Sequence, residues 1–441
     1  MAIITLSDLH LGEESSVANT DLGAILTSLR TDIPDIDTFV NKRLKKPEKD
    51  PVIAPENLTV QTLNDVLARI SAKSPISHLI LLGDILDLSV ASYYDAAFQA
   101  QKFMSEMLHG ISPKRIILIP GNHDHHLWAQ VSEEQWIESA LRQADLWRSP
   151  FCRTTEPSDP LDSRQPGVQF IKGFFPVHCR DRVEVAYPNY VTRGPDGGTY
   201  VFDHGHLFDY AQSWIGQWGP GKLIDVQTLA DLERANSPWL EMVWYGFGQG
   251  GPLALDSENL YEEAQRFIDK LEVAKNILSG KLPAKAVEKA AREMLELGKR
   301  IWGWIKQGKS RNVNTPSRVS RARAKSQGEL ELGMNLRNYL AKFLTRANDY
   351  PASSTFVYGH THSWCDRKNF HGRRVLNTGG WLAESDDGSP QRKGKMQTRV
   401  LVVKGNGPRF EVIPVDKKVY RFCWAMNKAV RDAVKSIAKL L

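Results

Sequence analysis

Residues 3–12, IITLSDLHLG, set an aspartate and a histidine one residue apart directly behind an apolar run. Asp8 and His10 flank Leu9, so on an extended backbone both side chains leave on one face. Alone the pair says little, because a polar loop after a buried strand looks the same. Further residues of similar chemistry stand behind other apolar runs: Asp84 in GDILD, Asn122 and His123 in GNHD, His204 in HGH, and His360 and His362 in GHTH. Imidazoles, carboxylates and one carboxamide form a mixed nitrogen and oxygen donor set, suited to Mn, Fe, Zn or Mg rather than to metals that prefer thiolates. Gly83, Gly121, Gly205 and Gly359 stand beside most of these donors. There they permit tight or positive-φ turns that let the next side chain face inward.

The elements that must position these residues are legible in outline. SHLILLGDILD, KRIILIPGNHDHH and STFVYGHTH repeat the pattern of the first run, and continuous Ile, Leu and Val of this length predict strands buried on both faces. ENLTVQTLNDVLARISA and AAFQAQKFMSEMLHG predict helices, the second stopping at Gly110. Strand, polar loop, helix, strand is an α/β layout, in which ligands bind on loops beyond the strand ends. Strands return at RRVLNTGGW and TRVLVVKG to complete the sheet. Before these returning strands, 211–346 has a helical pattern with six of the twelve Trp and reads as an insertion or cap. Residues 310–328 look like a connector within it, and 417–441 predict a basic amphipathic helix. The chain therefore divides into core segments 1–210 and 347–416, the insertion, and the terminal helix.

Asp-x-His, Gly-Asp-x-x-Asp, Gly-Asn-His-Asp, His-Gly-His and Gly-His-Thr-His, in this order, resemble the calcineurin-like metallophosphoesterase family. The resemblance spans residues 8 to 362 and leaves out the insertion. It implies a four-layer αββα sandwich of two mixed sheets carrying two divalent metal ions, Mn foremost and Fe, Zn or Mg as alternatives. It places Asp8, His10, Asp84 and His362 on one metal and Asp84, Asn122, His204 and His360 on the other, with Asp84 as the bridge. A carboxylate has two oxygens and a negative charge to set between two dications. Such a pair holds a bridging hydroxide for in-line attack on a phosphodiester or pyrophosphate and neutralises the phosphoryl oxygens. The resemblance implies His123 as general acid, its imidazole oriented by Asp124. His125 and His126 take no role from the motifs, and His206 is expected beside the site. Asp87 either supports a ligand through a hydrogen bond or begins a helix. His78, His109, His178 and His371 belong to no motif.

No stretch approaches the apolar length of a spanning helix, and the first run has no basic leader or cleavage site, so a cytoplasmic location is expected. Cys152, Cys179, Cys365 and Cys423 stand far apart, which indicates neither a zinc knuckle nor a disulfide framework. The net charge of +6 is concentrated between Lys281 and Lys325, where thirteen Lys or Arg face three Glu. That zone fits an anionic partner or a solvated helix and loop. Together with the Trp-rich insertion, whose position resembles the lid of UDP-2,3-diacylglucosamine pyrophosphatases, and the terminal helix, it admits a lipid-linked or nucleotide substrate hydrolysed at an anionic membrane surface. A nuclease would instead track a nucleic-acid backbone with the same cations and stack bases on Trp302 or Trp304. A scaffold without catalysis is the third reading, and the complete donor set counts against it. Oligomeric state leaves no signal.

Overall fold

The computed structural model describes residues 1–131, 166–209, 353–362, 364–370, 372–383 and 397–440, with single positions between 218 and 240. Two mixed sheets face each other. The first contains β1 (Ala2–Leu6), β2 (Ile76–Leu82), β3 (Arg115–Ile119), β4 (Val183–Val185), β12 (Gln397–Lys404) and β13 (Gly407–Pro414), in the order β13-β12-β1-β2-β3-β4. The second contains β5 (Asn189–Arg193), β6 (Thr199–Asp203), β9 (Thr355–Tyr358), β10 (Cys365–Phe370) and β11 (Arg373–Asn377), in the order β10-β11-β9-β6-β5. Within them β1, β2, β3 and β4 run parallel, as do β6, β9 and β11.

Alternation along the strands sorts their apolar residues between two layers. Ile3, Ile80, Leu82, Ile117 and Ile119 pack with Phe202, Val357 and Leu376 between the sheets. Ile4, Leu6, Leu79, Leu81, Ile116 and Leu118 face the helices that cover the first sheet. Those helices are α1 (Leu22–Asp32), α2 (Ile36–Leu44), α3 (Leu58–Lys73) and α4 (Tyr93–Gly110). The expected start of α3 is corrected by two residues, because the Asn57 side chain accepts from the Thr59 and Val60 amides and thereby caps the helix. On the outer face of the second sheet, Val201, Phe356 and Val375 pack with Leu207, Phe208 and Leu232. The fold is the expected α/β sandwich of two mixed sheets.

Apart from Leu232 and its near neighbours, the expected helical insertion 211–346 lies outside the described residues. The exception to its helical pattern is a short ladder of β7 (Trp218–Gly219) with β8 (Lys222–Leu223). Helix α5 (Pro166–Lys172) precedes β4. Cys179, Cys365 and Cys423 are free thiols, as expected, and Cys152 lies outside the described residues.

The terminal helix, α6 (Lys417–Leu440), forms where the sequence pattern places it, but its apolar face is already occupied. Asp416 caps it by accepting from the Lys418 and Val419 amides. Val419, Tyr420, Phe422, Cys423, Met426, Ala429 and Val430 then join the core beneath the first sheet, and Asp432 pairs with Arg43 of α2. No helix among the described residues is long and apolar enough to cross a membrane. Fully burying a large apolar side chain stabilises a fold by about 1.5–3 kcal/mol, so α6 is a structural layer. A chain ended after Asp416 is expected to lose well over about 10 °C of thermal midpoint, or its cooperative transition altogether, in a circular-dichroism melt. An unchanged midpoint would show the helix to be a detachable surface element.

Candidate metal centre

Parallel strands deliver their C-terminal ends to one edge, and the expected donors leave from there. The first sheet brings Asp8 and His10 after β1, Asp84 after β2, and Asn122 and His123 after β3. The second brings His204 after β6, and His360 and His362 after β9. Ligand atoms of Asp8, His10 and His362 lie within 4.8 Å of one another, and so do those of Asp84, His204 and His360. His10 Nε2 and His362 Nε2 are 3.1 Å apart. Asn122 Oδ1 stands 3.1 Å from His204 Nε2 and 2.9 Å from His360 Nδ1. All seven expected donors are thus brought together. Asp84 connects the two groups through one oxygen, for its Oδ2 is 3.8 Å from His10 Nε2 and 3.1 Å from His204 Nε2. Its Oδ1 accepts the His123 amide at 2.8 Å.

The backbone is strained at just these residues. Asp8, His10, Asp84, His360 and His362 have φ between 48° and 64°, and among the described residues Lys45, at the end of α2, is the one other non-glycine residue with positive φ. Each such residue costs on the order of 1–3 kcal/mol and persists only where its surroundings enforce it. Neighbouring loops do so. Asp8 accepts the His360 amide at 2.8 Å and gives its own carbonyl to Trp381 N at 3.2 Å. Asn377 Nδ2 donates to Gly359 O and to Thr361 Oγ1, both at 2.9 Å, pinning the GHTH turn to the end of β11. The glycines serve in two ways. Gly83 has φ of 78°. Gly121 and Gly359 do not share this conformation and are needed for space: a Cβ would collide with Asp84 Oδ1 at Gly121 and with Asp8 Oδ2 at Gly359.

Hydrogen bonds on the far side of three rings settle their tautomers. His204 Nδ1 lies 2.9 Å from Leu82 O, which can only accept, so Nδ1 carries the proton. His360 Nε2 lies 2.9 Å from Asp209 Oδ2, and His10 Nδ1 lies 2.9 Å from Asp87 Oδ2. Each ring therefore turns an unprotonated nitrogen toward the centre. There His204 Nε2 meets Asp84 Oδ2, and His360 Nδ1 meets Asn122 Oδ1. With His204 neutral, the contact of its Nε2 with Asp84 Oδ2 at 3.1 Å sets acceptor against acceptor and requires a positive charge between them, either a proton or a metal ion. With protons alone, His204 must take one: burial would lower its pKa, but Asp84, Asp8 and the Leu82 carbonyl push it up to about 10. Asp84 is held well below the usual carboxylate range despite its burial, by His204, His123 and His10. Burial raises Asp8, and the Asp84 charge adds to the rise. The donor set, its burial and its tautomers fit divalent cations, which occupy such positions without the cost of charging the imidazoles.

Asp87, whose role the sequence left open, is a shared support and no helix cap. Its Oδ2 is 2.9 Å from His10 Nδ1 and 3.0 Å from His123 Nδ1, while Oδ1 accepts from the Ser89 and Val90 amides. Helix α4 is capped by Ser92 instead. Asp124, expected to orient His123, turns both oxygens to backbone amides: Oδ1 accepts from Gly121 at 2.5 Å and Oδ2 from Ile85 at 2.9 Å. Burial first, and then the charge of Asp84, raise its pKa to about 6. Asp124 therefore shapes the loop, and Asp87 orients the imidazole. Asp209 is the residue that sequence reasoning missed, since nothing distinguishes it from other carboxylates until the fold sets it against His360.

His123 keeps 15% of its side chain exposed and His362 23%, so these two line the opening while Asp8, Asp84 and His204 are sealed. His206 lies beside the site, its ring centre 5.5 Å from that of His204. His125 and His126 are buried. His109 and His178 are exposed and His78 is partly buried beside Ser77, so none of these three joins the cluster, and His371 lies outside the described residues.

The family model for calcineurin-like phosphoesterases matches residues 1–246. Comparison with curated proteins gives no match. The match covers Asp8, His10, Asp84, Asn122 and His204, and the second sheet adds His360 and His362 from beyond it in the positions that the paired clusters require. The chain belongs to the calcineurin-like phosphoesterase family.

Proposed function

We propose that the protein is a divalent-metal-dependent hydrolase that cleaves a phosphodiester or pyrophosphate bond by in-line attack of water. The observation that carries this reading is the convergence of two imidazole nitrogens, His10 Nε2 from one sheet and His204 Nε2 from the other, on Asp84 Oδ2. Asp8, His10, Asp84 and His362 would hold one ion, and Asp84, Asn122, His204 and His360 the other, with Mn the first candidate and Fe, Zn and Mg compatible with the donors. When bound, the two ions supply Lewis acidity for the phosphoryl oxygens and lower the pKa of the attacking water.

The remaining steps belong to side chains. His10, His204 and His360 are kept in the ligating tautomer by Asp87, the Leu82 carbonyl and Asp209. His123 stands at the opening with Nδ1 against Asp87, which stabilises the imidazolium and leaves Nε2 to protonate the departing oxygen. This arrangement neutralises and positions the phosphoryl group without a nucleophilic side chain.

A lipid-linked or nucleotide substrate remains the leading class, now with a different basis for membrane contact. The apolar face of α6 from Val419 to Val430 is packed inside the protein, so attraction to an anionic surface would draw chiefly on the basic zone 281–325. A nuclease reading draws on that same zone, and no described residue favours it over the first.

Hydrolysis of bis(p-nitrophenyl) phosphate is expected to require an added divalent ion, and Asp84→Asn to lower kcat by about 10²-fold or more; a variant of wild-type rate would refute the bridge. Gly121→Ala is expected to reduce bound metal, read by elemental analysis, with the far-UV spectrum unchanged, because its methyl intrudes on Asp84 and His204. Asp87→Asn is expected to cost about 10–100-fold in kcat, whereas Asp124→Asn is expected to act through thermal stability. The reverse pattern in paired rate and melting measurements would return the orienting role to Asp124.

A further inference from the structure

Trp364 and Arg399 form a pair at the mouth of the sandwich that the reaction above does not use. Trp364 follows His362 by two residues and leaves 45% of its surface exposed. The turn after β11 backs it: a Cβ on Gly379 would lie 3.5 Å from Trp364 Cβ, and one on Gly380 would press on the His362 ring at 2.8 Å. Arg399 arrives from the other sheet. Thr5 pairs with Leu401 in the β1–β12 ladder, so Arg399, two residues earlier on β12, lies toward the end of the ladder from which Asp8 leaves. Its side chain leaves on the face of Leu401 and Val403, which is the face between the sheets. Thr398 Oγ1 donates to Gly380 O at 3.2 Å and ties this strand to the turn behind His362.

The guanidinium carbon of Arg399 lies 4.5 Å from the centre of the Trp364 ring, and Phe410 meets the same ring edge-on at 5.6 Å. Three other arginines on the two sheets face carboxylates: Arg115 faces Glu184, Arg374 faces Asp366 and Arg409 faces Glu411. Arg399 has no carboxylate partner among the described residues. It is nonetheless partly desolvated, and burial lowers its pKa. An indole occupies the face of a guanidinium but leaves the N–H groups in its plane, and that edge matches a phosphate or carboxylate in a bidentate fit.

We propose that Arg399, stacked on Trp364, is an anion subsite beside the Asp8–His362 side of the centre and takes the phosphate adjacent to the one under attack. The inference rests on the phosphoesterase reading and deepens it. The preferred substrate then carries two linked phosphates, with the scissile phosphorus over Asp84 and the second phosphate on the guanidinium edge.

Methylenediphosphonate, whose P–C–P bridge cannot be hydrolysed, and inorganic phosphate, titrated separately into the metal-loaded full chain in a calorimeter, read the subsite without turnover. The diphosphonate is expected to bind more tightly than phosphate, and Arg399→Gln to lower the ratio of the two affinities by about tenfold or more, the loss expected of a charge-assisted hydrogen bond. Trp364→Leu, at an exposed position, is expected to lower the same ratio by removing the platform. An unchanged ratio in both variants, each with a wild-type thermal midpoint, overturns the subsite; should Arg399→Gln unfold, an unchanged ratio in Trp364→Leu does so. Failure of the wild-type chain to hydrolyse bis(p-nitrophenyl) phosphate with any divalent ion would instead remove the parent reading.

Discussion

A conflict among lone pairs governs this structure. His204 and His360 commit one proton each to acceptors outside the centre and, when neutral, turn bare nitrogens toward Asp84 and Asn122. In a buried setting such contacts repel and forgo hydration, which costs several kcal/mol unless compensated. Positive charge reverses the sign of every one of them. Protonation of His204 would answer locally, but a pair of divalent ions answers for all the donors at once and leaves each ring in the tautomer its outer partner dictates. The strained backbone at Asp8, His10, Asp84, His360 and His362 has the same logic, since strain of this kind survives only where the fold gains from the resulting geometry.

Neither sheet contains the site. The first supplies Asp8, His10, Asp84, Asn122 and His123, and the second supplies His204, His360 and His362, so the spacing between the two groups is set by the layer packed between the sheets. Ile3, Ile80, Leu82 and Ile119 from one side meet Phe202, Val357 and Leu376 from the other, all fully buried. Cross-loop bonds refine that spacing: the His360 amide reaches Asp8, and the His123 amide reaches Asp84. The helices, α6 included, fix the first sheet from behind and contribute nothing directly to the chemistry.

Much of this was legible in the sequence, for reasons that also explain the gaps. Strands β1, β2, β3 and β9 are buried on both faces and read as unbroken apolar runs, and the donors follow them within a few residues. β5, β10 and β13 are edge strands of mixed polarity, such as CDRKNF and GPRFEVIP, and carry no comparable signal. The same applies to α1 and α2. Within the site, the metal donors were found because their types and order form a pattern. Asp87, Asp209 and Asn377 reach side-chain or backbone partners 77, 151 and 18 residues away in the chain, and local sequence cannot specify such partners. Asp124 was assigned to His123 by adjacency, yet its carboxylate folds back on its own loop. The amphipathic pattern of α6 was real, but a pattern does not say whether protein or lipid receives the apolar face.

The most direct test of the central claim is native mass spectrometry of the folded chain, stripped of metal and then reloaded with Mn. The account predicts two ions per chain, with hydrolysis of bis(p-nitrophenyl) phosphate rising as they bind. A chain that hydrolyses the diester at full rate while carrying no divalent ion would contradict it.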